Sequence, residues 1–209
     1  MTNFESDNGA SREDLVQRIA LMETMIAEGR SATGRFGWIF VLWGLVDLTG
    51  MAWQWFQPSS HLVWPVTIGV GFVIQAVGLK LRRRAGVAPD TKSLQSRSIE
   101  AVWSMMGFGI SLYCAAAIVR DVTWQSSYIA AVLMLVGLAH AVSAKILRWR
   151  AQGVVAAFWW AGALASYFLP GGLLYLLIVA EMLFGLVGFG LYAMMLERRR
   201  ESGLVREHA

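Results

Sequence analysis

Residues 36–56 read FGWIFVLWGLVDLTGMAWQWF, twenty-one residues carrying one charge, Asp47. At about 1.5 Å per residue, a helix of this length reaches about 31 Å, the thickness of a bilayer's hydrocarbon core. The run is too long for a signal-peptide core and no small-residue cleavage site follows it, so it reads as a retained span. Trp53 and Trp55 fall at its far end, the level of an interfacial aromatic belt.

Working outward from this stretch, five more runs of the same kind follow, at about 62–81, 99–119, 128–146, 154–169 and 173–196. Pro65 lies in a first helical turn, where its missing N–H costs little. The chain is 56% hydrophobic over 209 residues, whereas a soluble domain usually keeps under half its residues apolar. The expected architecture is therefore all-α: a polytopic membrane bundle of six transmembrane helices, arranged as three helical hairpins. Residues 1–33 form an N-terminal cytoplasmic segment, 34–196 the membrane domain, and 197–209 a charged cytoplasmic tail. Each hairpin ends in a basic cluster, at Arg82-Arg83-Arg84, Arg148-Trp149-Arg150 and Arg198-Arg199-Arg200, and Gly71, Gly137 and Gly188 precede the clusters at similar distances. That pattern suits either an internal repeat or the stop-transfer charges of any hairpin protein.

The cations set the orientation. Arg12, Arg18, Arg30 and Arg35 precede the first span, Lys80 to Arg97 follow the second, Lys145, Arg148 and Arg150 follow the fourth, and Arg198 to Arg206 follow the sixth. Only Arg120, with Asp121 beside it, falls on the other side of a six-span arrangement. The positive-inside rule then places both termini in the cytoplasm, in a cell inner membrane. The net charge of +4 arises from these flanking clusters, so it argues for topology and not for nucleic acid.

Ahead of the first span, residues 1–10 are polar and expected to be unstructured. A short amphipathic helix is expected at about 11–29. Ser11 to Asp14 resembles a capping box with Asp14 in the place of Glu. Leu15, Ile19, Met22 and Ile26 follow at 4-3-4 spacing, a short seam, and Asp14 and Arg18 sit four apart. Alone in water so short a helix is marginal. Its apolar face needs the lipid bilayer surface, its own bundle, a second copy of the chain, or a membrane or cytoplasmic protein.

Motifs of soluble enzymes are absent. There is no phosphate-binding loop, no His-Glu-x-x-His helix and no cysteine pair, since Cys114 is the only cysteine. No metal and no cofactor is expected, and catalysis is not. Gly107 and Ser111, Gly137 and Ala141, and Gly162 and Ser166 each sit four apart, as in helices that pack closely in lipid. The most informative residues are ionisable ones inside the apolar runs. Asp47 and Glu181 both fall roughly 13 Å from one face, counted at about 1.5 Å per residue. A charged Asp at mid-membrane costs about 2.5–3.5 kcal/mol on insertion scales, so both side chains should turn inward, to each other, to a polar partner or to water. His140, Gln75, Ser166 and Tyr167 could join them. Such a set suits a proton- or solute-linked site with His140 as relay, or hydrogen bonds that fix helix register.

With Trp43-Gly44-Leu45 in the first span, Gly50 after it and basic ends to each hairpin, the chain resembles a group of small six-helix bacterial inner-membrane proteins. The resemblance covers the outline of most of the chain. It implies an architecture and a bacterial membrane setting, and no activity. Asp47 departs from it, standing where an apolar or aromatic residue is expected. Function is then expected to be that of a non-enzymatic sensor-like or scaffold subunit acting through helix contacts. The alternative is a small transporter or proton-linked carrier using Asp47 and Glu181.

Overall fold

The computed structural model describes residues 4–85, 94–120, 122 and 125–207. Among these, all regular structure is helical: α1 (Phe4–Arg35), α2 (Gly37–Phe56), α3 (Val63–Arg84), α4 (Leu94–Arg120), α5 (Ser126–Leu147), α6 (Arg150–Ala165), α7 (Gly171–Ala180), a π-helical stretch (Glu181–Gly188) and α8 (Phe189–Glu207). Five stretches among the described residues are long and apolar enough to cross a membrane: Asp14–Phe56, Val63–Arg84, Leu94–Arg120, Ser126–Leu147 and Gly171–Arg200. α6, with sixteen residues, is shorter than any of these five stretches.

The N-terminal helix differs from the expectation of about 11–29. It runs from Phe4 to Arg35, through residues expected to be unstructured, and Ser11 does not begin it. The side chains of residues 11–13 lie outside the described residues. At the other end, α1 continues past Gly29 because its last two turns lie against the bundle. It stops at Phe36, whose φ of −86° and ψ of −4° replace helical geometry for one residue. The Phe36 N–H still reaches the Ala32 carbonyl at 3.0 Å, while the Ile39 N–H reaches only back to Phe36 at 2.9 Å, so α2 starts on a tightened turn. The link expected at 148–152 is also shorter. Arg148 takes a left-handed φ of 48°, the Trp149 N–H bonds the Ala144 carbonyl at 3.0 Å, and α6 begins at Arg150.

α2 packs on α3 along one side and on the π-helical stretch and α8 along another; α5 packs on α4 and α6, and α6 on the π-helical stretch. α1 rests on α4, α8 and α5. Phe40, Leu133, Leu147, Trp159, Phe189 and Ala193 are among the residues of one buried cluster. The outward faces of α3 and α4 are apolar and exposed, with Val70, Val73 and Val77 on one and Met105, Phe108 and Leu112 on the other. Contiguous apolar surface of that extent suits lipid, not water.

One close helix contact, between α2 and α8, uses two glycines. A Cβ on Gly37 would lie 2.7 Å from the Gly190 carbonyl oxygen, and one on Gly190 would lie 2.6 Å from that of Gly37, so any larger residue would force α2 and α8 apart. Gly137 receives Trp160 in the same way. Gly107 does not follow its expected packing role. A Cβ there meets nothing within 4 Å, and Ser111 hydrogen-bonds the Gly107 carbonyl of its own helix at 2.8 Å.

Candidate functional site

Glu181 begins the π-helical stretch and is wholly buried. Its carboxyl lies against Gly162 of α6, so closely that a Cβ there would overlap Oε1 and come within 2.8 Å of Cδ. One turn back along α6, Trp159 returns the contact. Its indole ring fills the notch at Gly185, where a Cβ would sit 2.6 Å from Cε2. The two helices are thus keyed twice, by a carboxyl in one glycine seat and an indole in the other. Gly185 lies within the π-helical stretch, and such turns frequently mark functional positions. Among the described residues, both carboxyl oxygens of Glu181 and Nε1 of Trp159 find no hydrogen-bond partner.

His140 of α5 is also wholly buried, within an aromatic cage. Trp103 meets it edge-on at 4.8 Å between ring centroids, Phe189 at 5.0 Å, Phe40 stacks at 5.8 Å and Trp159 at 6.5 Å. Neither imidazole nitrogen has a hydrogen-bond partner among the described residues. Trp159 therefore stands between the two groups, stacked on His140 and one turn from the glycine that seats Glu181. Ser143, one turn along α5, accepts a hydrogen bond from Trp103 Nε1 at 3.1 Å and holds that wall of the cage.

Asp47 occupies a different place. Gly44 of α2 faces Met182, Leu186 and Val187, so Asp47, one turn further along, reaches the level where the π-helical stretch begins. It is half-buried and makes no hydrogen bond or ion pair among the described residues. Its electrostatic neighbours are Cys114 and Tyr128, whose Sγ and Oη lie 2.9 Å apart. Level and facing thus separate. Asp47 and Glu181 lie near one level but do not bond each other, and only His140 and Glu181 share an intermediary. Gln75 serves α2–α3 pairing, accepting from Trp43 Nε1 at 2.6 Å, and the Ser166 hydroxyl donates to the Ala163 carbonyl at 2.7 Å. Among the described residues no group of three His, Cys, Asp or Glu could hold a metal ion.

α1 forms a second locus. Arg30 donates from Nε to the Leu147 carbonyl at 2.8 Å and from Nη2 to the Arg148 carbonyl at 2.6 Å. These are orphan acceptors at the end of α5, so a side chain of α1 caps α5. Ser31 donates to Glu197 of α8, and Arg35 Nη1 donates to Ser31 Oγ at 2.6 Å and pairs with Glu197 Oε1 at 3.3 Å. Gly29 lies flush on Leu147 and Gly34 on Glu197. Further back the same helix is bare. Leu15, Ile19 and Met22 are 56%, 54% and 55% exposed, and Ile26 is half-buried.

Sequence reasoning missed Trp159 as the piece between His140 and Glu181, Gly162 and Gly185 as seats, and Arg30 with Glu197 as fasteners. By spacing alone Gly162 pairs only with Ser166. The available signal for the fasteners was position, with Arg30 and Arg35 just before the first span and Glu197 directly after the last. No family model, no curated protein and no solved structure matches this chain.

Proposed function

We propose that this chain is an integral protein of a bacterial inner membrane with six spans and both termini cytoplasmic, and that it acts as a non-enzymatic, sensor-like or scaffold subunit with α1 as its contact element. The six-span reading draws support from α1. Through Arg30 it touches the end of α5 and through Arg35 it touches Glu197, midway along α8, so these two points lie together. The chain between them leaves that level along α6 and returns along α7 to α8, as a pair of spans would. An even number of spans then keeps the basic clusters on one side. The three hairpins are α2 with α3, α4 with α5, and α6 with the α7–α8 column.

One observation carries the functional reading. Leu15, Ile19 and Met22 form an apolar stripe open over more than half of each residue, on a helix whose other end is fastened to the bundle by charge-assisted hydrogen bonds. A stripe of that kind on a held helix presents itself to another helix. Replacing Ile19→Asp together with Met22→Asp should reduce the size of complexes extracted from membranes in mild detergent. Complexes of unchanged size would refute the reading.

A second reading, a proton-linked carrier, is favoured by the two unpartnered oxygens of Glu181 at the π turn. Intramembrane carboxyls of that kind mark proton and ion paths. Proton or solute flux into vesicles should fall in Asp47→Asn and Glu181→Gln. Equal flux in wild type and both variants would remove it.

A further inference from the structure

We propose that docking of α1 on its own bundle and pairing of α1 with a second copy of the chain use the same face of the helix and exclude each other, so that the Arg30 and Glu197 contacts act as a latch on self-association. The inference rests on the contact role of α1 proposed above and adds its partner and its control.

The stripe does not stop at Ile26. Continued at the same alternating spacing, it passes through Gly29 and Thr33, both buried against the bundle. One face of α1 is thus open at Leu15, Ile19 and Met22, half-covered at Ile26, and closed at Gly29 and Thr33. A partner helix lying along the open half would run into the bundle on which the closed half rests. A full-length pairing requires the last turns of α1 to lift away.

The occupant follows from the residues on the stripe. In heptad terms Leu15 and Met22 take d positions and Ile19 and Ile26 take a positions. β-Branched residues at a with unbranched-β residues such as Leu at d favour two parallel strands. Arg18 takes a g position and Glu23 the e position five residues on, so in a parallel pair Arg18 of each copy faces Glu23 of the other. An antiparallel pair would bring like charges together. Two copies in one membrane, both with cytoplasmic N-termini, present α1 in parallel, and confinement to the bilayer raises their effective concentration. The open seam alone is short, so helix pairing through it is marginal until the covered turns join.

The latch is polar and compact. Arg30 spans two carbonyls at the left-handed turn of Arg148, and Glu197 takes Ser31 and Arg35. Removing either group leaves the apolar contact of Gly29 on Leu147 in place and weakens the closed state by roughly tenfold, the scale of one hydrogen bond to a charged group.

The test uses the full chain in native membranes, with Cys114→Ser to remove the natural thiol and Leu15→Cys as reporter. Oxidative cross-linking is compared with the latch intact, with Arg30→Ala, with Glu197→Gln, and with Arg30→Lys, which keeps the charge but loses the two-pronged donor. The expected result is a disulfide-linked species of doubled mass that rises severalfold in Arg30→Ala and Glu197→Gln, less in Arg30→Lys, and vanishes when Ile19→Asp is added. Equal cross-linking with and without the latch, still abolished by Ile19→Asp, would overturn the competition and leave the contact role of α1 standing. No cross-link in any variant, with complexes indifferent to Ile19→Asp and Met22→Asp, would overturn both. An adduct with a different protein in place of the doubled species would overturn the choice of partner.

Discussion

Glu181→Met should stabilise the bundle. The carboxyl is enclosed, neither oxygen has a hydrogen-bond partner among the described residues, and Gly162 is packed directly against it. Burying a polar group without compensation costs about 1–3 kcal/mol by protein mutational data, and exchanging buried ionic groups for apolar ones of similar volume is often stabilising. Two corrections act on that figure. In a membrane, the unfolded reference state also keeps the group out of bulk water, which trims the gain toward about 1 kcal/mol. The seat is also narrow, since the Cβ position of Gly162 lies 3.3 Å from Glu181 Cγ. A branched residue such as Leu would be overpacked by about 1–3 kcal/mol, whereas unbranched Met can follow the path of the Glu side chain. The net expectation is a gain of about 1 kcal/mol for Glu181→Met, with Glu181→Gln near neutral because it keeps two polar atoms unpartnered. Reversible unfolding in mixed micelles, titrated with a denaturing detergent and followed by tryptophan fluorescence, measures both. A loss of about 1 kcal/mol or more in Glu181→Met would refute the argument. It would mean that the carboxyl is held by a bound cation, water or another group, and would move the balance toward the carrier reading.

Two other substitutions test the packing. Gly190→Val should cost about 2 kcal/mol or more by overpacking, because its Cβ would meet the Gly37 carbonyl at 2.6 Å; Gly107→Ala, facing open space, should gain up to about 1 kcal/mol from helix propensity, and the same micelle titration ranks the pair. Gln75→Leu should lose about 0.6 kcal/mol, the average for a hydrogen bond between membrane helices, and a deficit that persists unchanged in a Trp43→Phe background would show that the 2.6 Å contact is not its source.

Helix class and the long apolar stretches were legible because both depend on one-dimensional quantities, run length and charge spacing. The glycines show where legibility ended. Gly107 with Ser111 and Gly162 with Ser166 have the same spacing, yet one glycine faces open space and the other seats a carboxyl. Spacing reports which residues share a helix face, while the neighbour of that face depends on helix order, which residue-by-residue reading does not contain. Asp47 and Glu181 illustrate the same limit. Their level along the bundle follows from counting, but α2 and the π-helical stretch present them to different neighbours, Cys114 and Tyr128 for one and Gly162 for the other. The π turn itself left no trace in the apolar pattern of 173–196. The structure shows beside it a tertiary contact, the indole of Trp159 lodged at Gly185, that the pattern does not contain.

α6 is the element on which the number of crossings turns, and its brevity has a physical basis. Sixteen residues rise about 24 Å, about 6 Å less than a typical hydrocarbon core. The turn that follows narrows the gap. The Ser166 N–H bonds the Gly162 carbonyl at 2.9 Å, and the N–H groups of Phe168 and Leu169 both return to Ala165, at 2.9 and 3.2 Å, so the column continues almost to Pro170 with its donors satisfied. Non-helical backbone at membrane depth is tolerated where protein, not lipid, surrounds it. In that turn Ser166 is buried but Tyr167 and Phe168 are exposed, so it is α6 itself, packed on α5 and keyed into the π-helical stretch by Trp159 and Gly162, that protein covers on two sides. A helix clamped in this way does not need the length that a lipid-facing span such as α4 requires. Composition alone therefore registers five crossings, while the polar contacts of Arg30 and Arg35 at one end of the bundle favour a sixth.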